Sequence, residues 1–368
     1  ADFSSLSSGL NASSINLGGA NFDSLLSIGT GSTINLGGAD FSSLSGGLGG
    51  STINLGGADF ASLTSTGAGS TINLAGADFS SLSGGLGGST INLGGADFAS
   101  LSSTGANTTI NLGGADFSGI TSSLTGTAIS IGGADFTSLT NSGANVSILA
   151  AGADFGSLLG TLGSVSLGGA VFDTLTGTNY SIQVEHTQFT TLTNNDTAKN
   201  TSINLTAADF SLLLNNASES LLRVRQANFE AVINQGNDLS SLDIEGDEHP
   251  NTVINRGNEA VIRFVAGSGN DVFVNDARLA DTQGNKSALN IDLGGGWDRA
   301  VLSGRELTGS VAGGAGDDLF LFTGELTGSI TIGESASVDR DVLDFSSLQV
   351  AVGGSGVSLD LSSVAVQS

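Results

Sequence analysis

The chain has 368 residues, with 57 Gly, one Pro, no Cys and no Met. Ten Lys and Arg against 35 Asp and Glu give a net charge of −25 and a pI near 4.1, which argues against nucleic acid and anionic lipid as partners. The apolar fraction of 39% is too high for an acidic disordered chain. No window approaches about 18 uninterrupted apolar residues, which argues against membrane insertion. The absence of Cys removes disulfides and thiolate metal clusters, and the opening residues ADFSSLSSGL lack the basic and apolar regions of a secretory signal peptide.

Residues 1–198 contain 12 acids and no Lys or Arg; the remaining 170 residues hold all ten bases, beginning at Lys199, and 23 acids. Along the chain, Phe3, Phe22, Phe41, Phe60, Phe79, Phe98, Phe117, Phe136 and Phe155 stand 19 residues apart. Phe172, Phe189, Phe210 and Phe229 continue the series at intervals of 17, 17, 21 and 19. Within one unit, Thr33-Ile34-Asn35-Leu36 alternates polar and apolar residues, which predicts a half-buried strand. Gly37-Gly38 ends it, Ala39 to Leu44 predicts a second short strand or a corner, and Gly46-Gly47 with Gly49-Gly50 predicts another turn. Nineteen residues are too few for helical-hairpin repeats of about 33–47 residues. The chain is therefore read as all-β, a parallel β-solenoid with one 19-residue coil per repeat.

Ile34, Leu36, Ala39, Phe41, Leu44 and Leu48 are expected to point inward and to stack on their counterparts, with coils about 4.8 Å apart. Leu stands seven residues after alternate ladder Phe residues (Leu10, Leu48, Leu86, Leu124, Leu162), and Gly stands there in the intervening units (Gly29, Gly67, Gly105, Gly143). The full period is thus a 38-residue super-repeat, with large and small side chains alternating along the core. Residues 1–238 are read as the regular solenoid, with thirteen Phe-marked coils, and residues 239–368 as its degenerate continuation and C-terminal cap.

Asp precedes the ladder Phe at Asp2, Asp40, Asp59, Asp78, Asp97, Asp116, Asp135, Asp154 and Asp209. At one-coil spacing such carboxylates repel by about 1 kcal/mol per pair in water. Asn21 and Asn228 occupy the same place, which favours a side chain that caps a turn by accepting backbone N–H bonds over one that binds cations. The outward Thr33 and Asn35 ranks are read as ladders that bond to themselves along the stack. Of the two histidines, His186 lies beside Phe189, and His249 lies in Glu245-Gly246-Asp247-Glu248-His249-Pro250. A solvated loop is favoured there over a triad or zinc site built from Asp247, Glu248 and His249.

From about residue 260 the pattern changes. Gly313-Gly314-Ala315-Gly316-Asp317-Asp318-Leu319-Phe320 fits the nonapeptide G-G-x-G-x-D-x-U-x throughout, and Gly267 to Phe273 fits all but its first place, where Ala266 stands. Gly294-Gly295-Gly296-Trp297-Asp298 fits in part, with Leu293 at the first place and Ala300 at the apolar one. The period persists, since Asp298 and Asp317 are 19 apart and Glu306-Leu307-Thr308-Gly309-Ser310 recurs at Glu325 to Ser329. This third of the chain resembles the repeats-in-toxin (RTX) family of secreted bacterial proteins, whose turns bind calcium in a parallel β-roll. The resemblance implies calcium in the C-terminal third only, at Asp271, Asp298 and Asp317 beside Gly269, Gly296, Gly314 and Gly316. The N-terminal turns depart from the family in having Ser51, Ser70 and Ser89 in place of its aspartate, and hydroxyls make poor calcium sites. The resemblance also implies export to the extracellular space or cell surface by a type I-like route, with a C-terminal signal.

Together these readings point to a secreted, non-catalytic structural protein of the bacterial cell surface or extracellular matrix. It would assemble by stacking, as a filament, surface layer or adhesin stalk. Its expected partners are other copies of itself, head to tail or lateral, and cell-surface polysaccharide. An ice- or glycan-binding adhesin module and a carbohydrate-active solenoid enzyme are the alternatives. The regular coils offer one acid each and no Tyr, Trp, Lys or Arg before Tyr180 to grip a sugar. Residues 1–17 hold no Lys or Pro to blunt an open sheet edge, so the first coil is expected to stack on another copy or on further coils.

Overall fold

The computed structural model describes residues 2–349 apart from 10, 28, 48, 66, 124, 196–200, 237–240, 258–259, 277–286 and 334–338. Among the described residues every regular element is a strand and none is a helix. The fold is a parallel β-solenoid with about 19 residues per turn, as the spacing predicts. The chain divides into two compact units, Ala1–Gln183 and Val184–Ser368.

In the first unit a typical coil has a short strand such as Thr33–Asn35 and a longer one such as Asp40–Gly46. Each pairs in parallel with its counterpart 19 residues on, Ile34 opposite Ile53 and Phe41 opposite Phe60. The corner between them is Leu36-Gly37-Gly38-Ala39. Ala39 N donates to Leu36 O at 2.9 Å and Gly38 has φ +65°, a turn whose third residue requires a positive φ. Period-two polarity then sorts the side chains: Ile34, Leu36, Ala39 and Leu44 are fully buried and Phe41 is 5% exposed. From Phe22 to Phe172 successive rings stack with centroids 4.7–4.9 Å apart and planes within 6°. That separation is the strand-to-strand spacing, so the hydrogen-bonded backbone sets the ring geometry.

The 38-residue alternation has a steric basis where Leu86 meets Gly105. Leu86 is fully buried. One coil later, a Cβ on Gly105 would stand 2.6 Å from the Leu86 carbonyl carbon and deeper still in the backbone of Gly87. The side chains of Phe3, Leu10, Leu48, Leu124 and Leu162 lie outside the described residues.

In the second unit the short strands lengthen, as in Ser202–Thr206 and Leu221–Arg225. Phe189, Phe210 and Phe229 stack at 4.8 and 5.4 Å. Three residues before each of these Phe the first unit's glycine is replaced, by His186, Ala207 and Gln226, each at φ +50°. His186 is thus a turn residue in a conformation that suits glycine. A left-handed conformation costs an L-residue about 1 kcal/mol. Ala207→Gly is therefore expected to raise stability by about 0.5–1 kcal/mol in urea denaturation, against the usual sign of an Ala-to-Gly change. A loss of stability would contradict the strain.

Candidate functional site

The glycine-rich turns of the second unit lead into one row of strands, Thr252–Asn255, Val272–Asp276, Arg299–Ala312, Leu319–Gly333 and Val342–Gln349. The residues immediately before these strands form a vertical hydrogen-bonded column. Asp271 Oδ1 accepts from Asn251 N at 2.7 Å, Asp298 Oδ1 from Asp271 N at 2.7 Å, Asp318 Oδ1 from Asp298 N at 2.9 Å, and Asp341 Oδ1 from Asp318 N at 3.0 Å. Asp271, Asp298 and Asp318 are at most 2% exposed. The second oxygen of each, Oδ2, is buried without a hydrogen-bond partner.

Burial pushes these carboxyls up, against the opposing pull of the backbone N–H each accepts. Asp271 is raised to about 6, with the Asp247 charge adding to the effect. Asp298 is raised to about 7, helped by the charges of Asp318 and Asp271. Asp318 also shifts upward, from burial and then from the charges of Asp341, Asp339 and Asp317.

Of the residues expected to hold calcium, Asp271 and Asp298 meet in this column, but Asp317 does not. It is exposed, and its Oδ1 accepts from Arg340 N at 2.8 Å. Asp318 takes its place because the coil after Asp298 contains 20 residues, so a step of 19 falls one short. The predicted glycines crowd the same turns. A Cβ on Gly269 would lie 2.5 Å from the His249 carbonyl carbon. One on Gly296, Gly314 or Gly316, all at positive φ, would overlap the carbonyl oxygen of Gly269, Gly294 or Gly296. Their lack of a side chain lets successive turns lie backbone on backbone.

Asn251 shows what the column lacks. Its Oδ1 accepts from Asp247 N at 3.3 Å, and its Nδ2 donates to Phe229 O at 3.2 Å. A carboxylate at the same place cannot donate. Each buried Oδ2 therefore calls for a proton or a cation, and a hard, oxygen-seeking ion such as calcium fits that donor set. Among the described residues no three acidic, His or Cys side chains converge on one point. The column offers one carboxylate per coil, which leaves the remaining ligands to backbone carbonyls and water.

The Ser turns of the first unit work differently. Ser32 N donates to Ser51 Oγ at 3.1 Å and Ser70 N to Ser89 Oγ at 3.0 Å, next to the short strands. They resemble the aspartate turns locally, with a neutral hydroxyl as acceptor, but precede the other strand of the coil.

The outward Asn rank bonds to itself as expected, Asn35 Nδ2 to Asn16 Oδ1 at 2.5 Å and the next four steps at 2.7 Å. The Asp rank does not cap turns. Asp40, Asp59, Asp78, Asp97, Asp116, Asp135 and Asp154 are exposed at the first position of a strand. Among the described residues no backbone N–H bonds to these carboxylates, and in this series only Asp209 Oδ1 accepts a bond, from Asn228 Nδ2 at 3.2 Å.

A ladder that sequence reasoning missed runs inside the second unit. Asn194, Asn215, Asn234, Asn255 and Asn275 are fully buried; each of the first four donates Nδ2 to the next Oδ1 at 2.8–3.2 Å, and Asn275 Nδ2 donates to Ser303 O at 2.9 Å. Its signal was present: Asn stands five residues after Phe189, Phe210 and Phe229. On the outer face Asp243 gathers Arg225, Arg263 and, at 3.8 Å, Arg223, a surface network of modest worth. His249 Nδ1 meets Asp247 Oδ2 at 2.9 Å in an exposed loop, which raises the imidazole pKa.

No protein-family model matches the chain, and no curated protein or solved structure matches it.

Proposed function

We propose that this is a secreted, non-catalytic structural protein of the bacterial cell surface or matrix, a solenoid that assembles by coil-on-coil stacking. The observation that carries the reading is coil-on-coil backbone pairing, each first-unit strand bonded in parallel to the same strand one coil on. Among the described residues Asp2–Ser8 pairs only with Asn21–Ser27, and Ser14–Asn16 only with Thr33–Asn35, which leaves one row of backbone groups at an edge. Their outer N–H and C=O groups therefore match a further coil, from this chain or another copy. At the same edge, among the described residues, Asn16 Nδ2 has no acceptor, whereas the Nδ2 of Asn35 and its successors bond to the coil before. In the second unit, calcium at Asp271, Asp298 and Asp318 would neutralise the buried column and fasten one coil to the next.

Sedimentation velocity at rising protein concentration tests the stacking. The full chain is expected to form growing oligomers, because a head-to-tail contact does not close on itself. Ser14→Pro, which removes an outward-facing donor from the edge strand, is expected to remain monomeric with an unchanged β-sheet spectrum. A wild-type chain monomeric at every concentration, or a Pro variant that assembles equally well, would overturn the reading.

A further inference from the structure

We infer that the turn carrying Trp297 is a binding site for a neutral polysaccharide, with the indole as the platform for one face of a sugar ring. The site stands apart from the stacking reading and gives the second unit a partner of different chemistry. Trp297 is the only Trp in the chain and is 73% exposed. Gly294-Gly295-Gly296 precede it, and Gly269 and Gly316 lie in the turns one coil to either side. Such turns carry no side chain to fold over the ring. The backbone beneath it is fixed, since Trp297 N donates to Asn270 Oδ1 at 2.9 Å and Gly296 N to Ala315 O at 2.8 Å. In the same rank stand Asn270 on one neighbouring coil and Asp317 on the other, both exposed, about 4.8 Å away along the stack. Asp317 Oδ1 accepts from Arg340 N at 2.8 Å. Among the described residues Asn270 Nδ2 has no acceptor and Asp317 Oδ2 no donor. A ring flanked by an unused donor and an unused acceptor matches a pyranose, whose C–H face suits the electron-rich face of an indole and whose hydroxyls both donate and accept. An apolar protein anchor would cover the ring but leave the amide and the carboxylate unpaired. The charge of −25, with Asp317 and Asp339 beside the site, disfavours acidic glycans.

Titration of the full chain with dextran, laminarin, mannan and a soluble galactan tests this, with alginate as the acidic counterpart. At least one neutral polymer is expected to retard the chain in native affinity electrophoresis and to shift its tryptophan emission to shorter wavelength. Alginate is expected to do neither. Trp297→Ala is expected to bind at least about tenfold more weakly, and Trp297→Phe, which keeps a smaller ring, to fall between the two. Asn270→Asp keeps the acceptor for Trp297 N but removes the Nδ2 donor, and is expected to weaken binding about tenfold. All three variants are expected to melt with the wild type, because the side chains are exposed. Sedimentation of Trp297→Ala is expected to match that of the wild type, so sugar binding and stacking are read separately. Binding of none of the four neutral polymers, or equal retention of Trp297→Ala, would overturn the inference. So would an emission shift that follows protein concentration without sugar, the sign of a second copy on the indole.

Discussion

Raising the pH from about 5 to about 8 in the presence of a chelator is expected to destabilise the second unit, and calcium is expected to restore it. The sign follows from the carboxylate column. Asp271 and Asp298 are held at about 6 and about 7, above their ordinary value of 3.8. A carboxyl raised in this way binds its proton more tightly when folded. Its stabilisation is complete below the unfolded value and is lost as pH rises through 6 to 7. Each pKa unit corresponds to about 1.4 kcal/mol, so the two groups together are worth several kcal/mol. Calcium would compete with the proton for the same oxygens and reverse the loss at the higher pH.

Hydrogen-exchange protection factors, corrected for intrinsic rates, make the measurement local, with residues 261–312 as the reporter and 52–111 as the internal reference. Trp297, the only Trp, immediately precedes Asp298, so terbium bound to the column should luminesce on tryptophan excitation. Replacing Asp271, Asp298 and Asp318 with Asn should abolish both the pH and the calcium responses while the fold persists, because Asn251 already satisfies the same place with an amide. Protection unchanged between the two pH values, or indifferent to calcium, would contradict the assignment.

The second large effect is expected at Asn234. Its Oδ1 accepts from Asn215 Nδ2 at 2.9 Å, and its Nδ2 donates to Asn255 Oδ1 at 2.9 Å and to Gly236 O at 3.1 Å. Asn234→Leu keeps a similar volume but withdraws three hydrogen bonds at a fully buried point. Asn215 Nδ2 retains Ala217 O and Ser220 Oγ, whereas Asn255 Oδ1 and Gly236 O lose the donor that Asn234 supplied. With about 1–3 kcal/mol for each buried group left unsatisfied, the substitution is expected to destabilise by about 3 kcal/mol in urea denaturation. A change below about 1 kcal/mol would mean that the ladder is an incidental filler.

The regular coils were legible because two periodicities agree there. Phe at intervals of 19 gave the coil length, and the alternation around Ile34 and Leu36 gave the buried face. The buried carboxylate column was legible as a motif but not as an interval. The G-G-x-G-x-D pattern from Gly313 points to Asp318, whereas counting 19 from Asp298 points to Asp317, and coil length in the second unit drifts. Asn234 was missed because polarity was equated with the surface. A primary amide carries both donor and acceptor, so a column of them satisfies itself inside a stack, as an isolated buried amide does not. The Asp40 series was misread for a related reason. A residue type common in turns stands here, exposed, at the first position of a strand.

Electron microscopy of the purified full chain tests the stacking claim most directly. Filaments are expected that lengthen with protein concentration and carry an axial repeat of about 4.8 Å along the coil stack. Isolated particles at every concentration, with the Asp2–Ser8 strand ordered and uncovered, would contradict it.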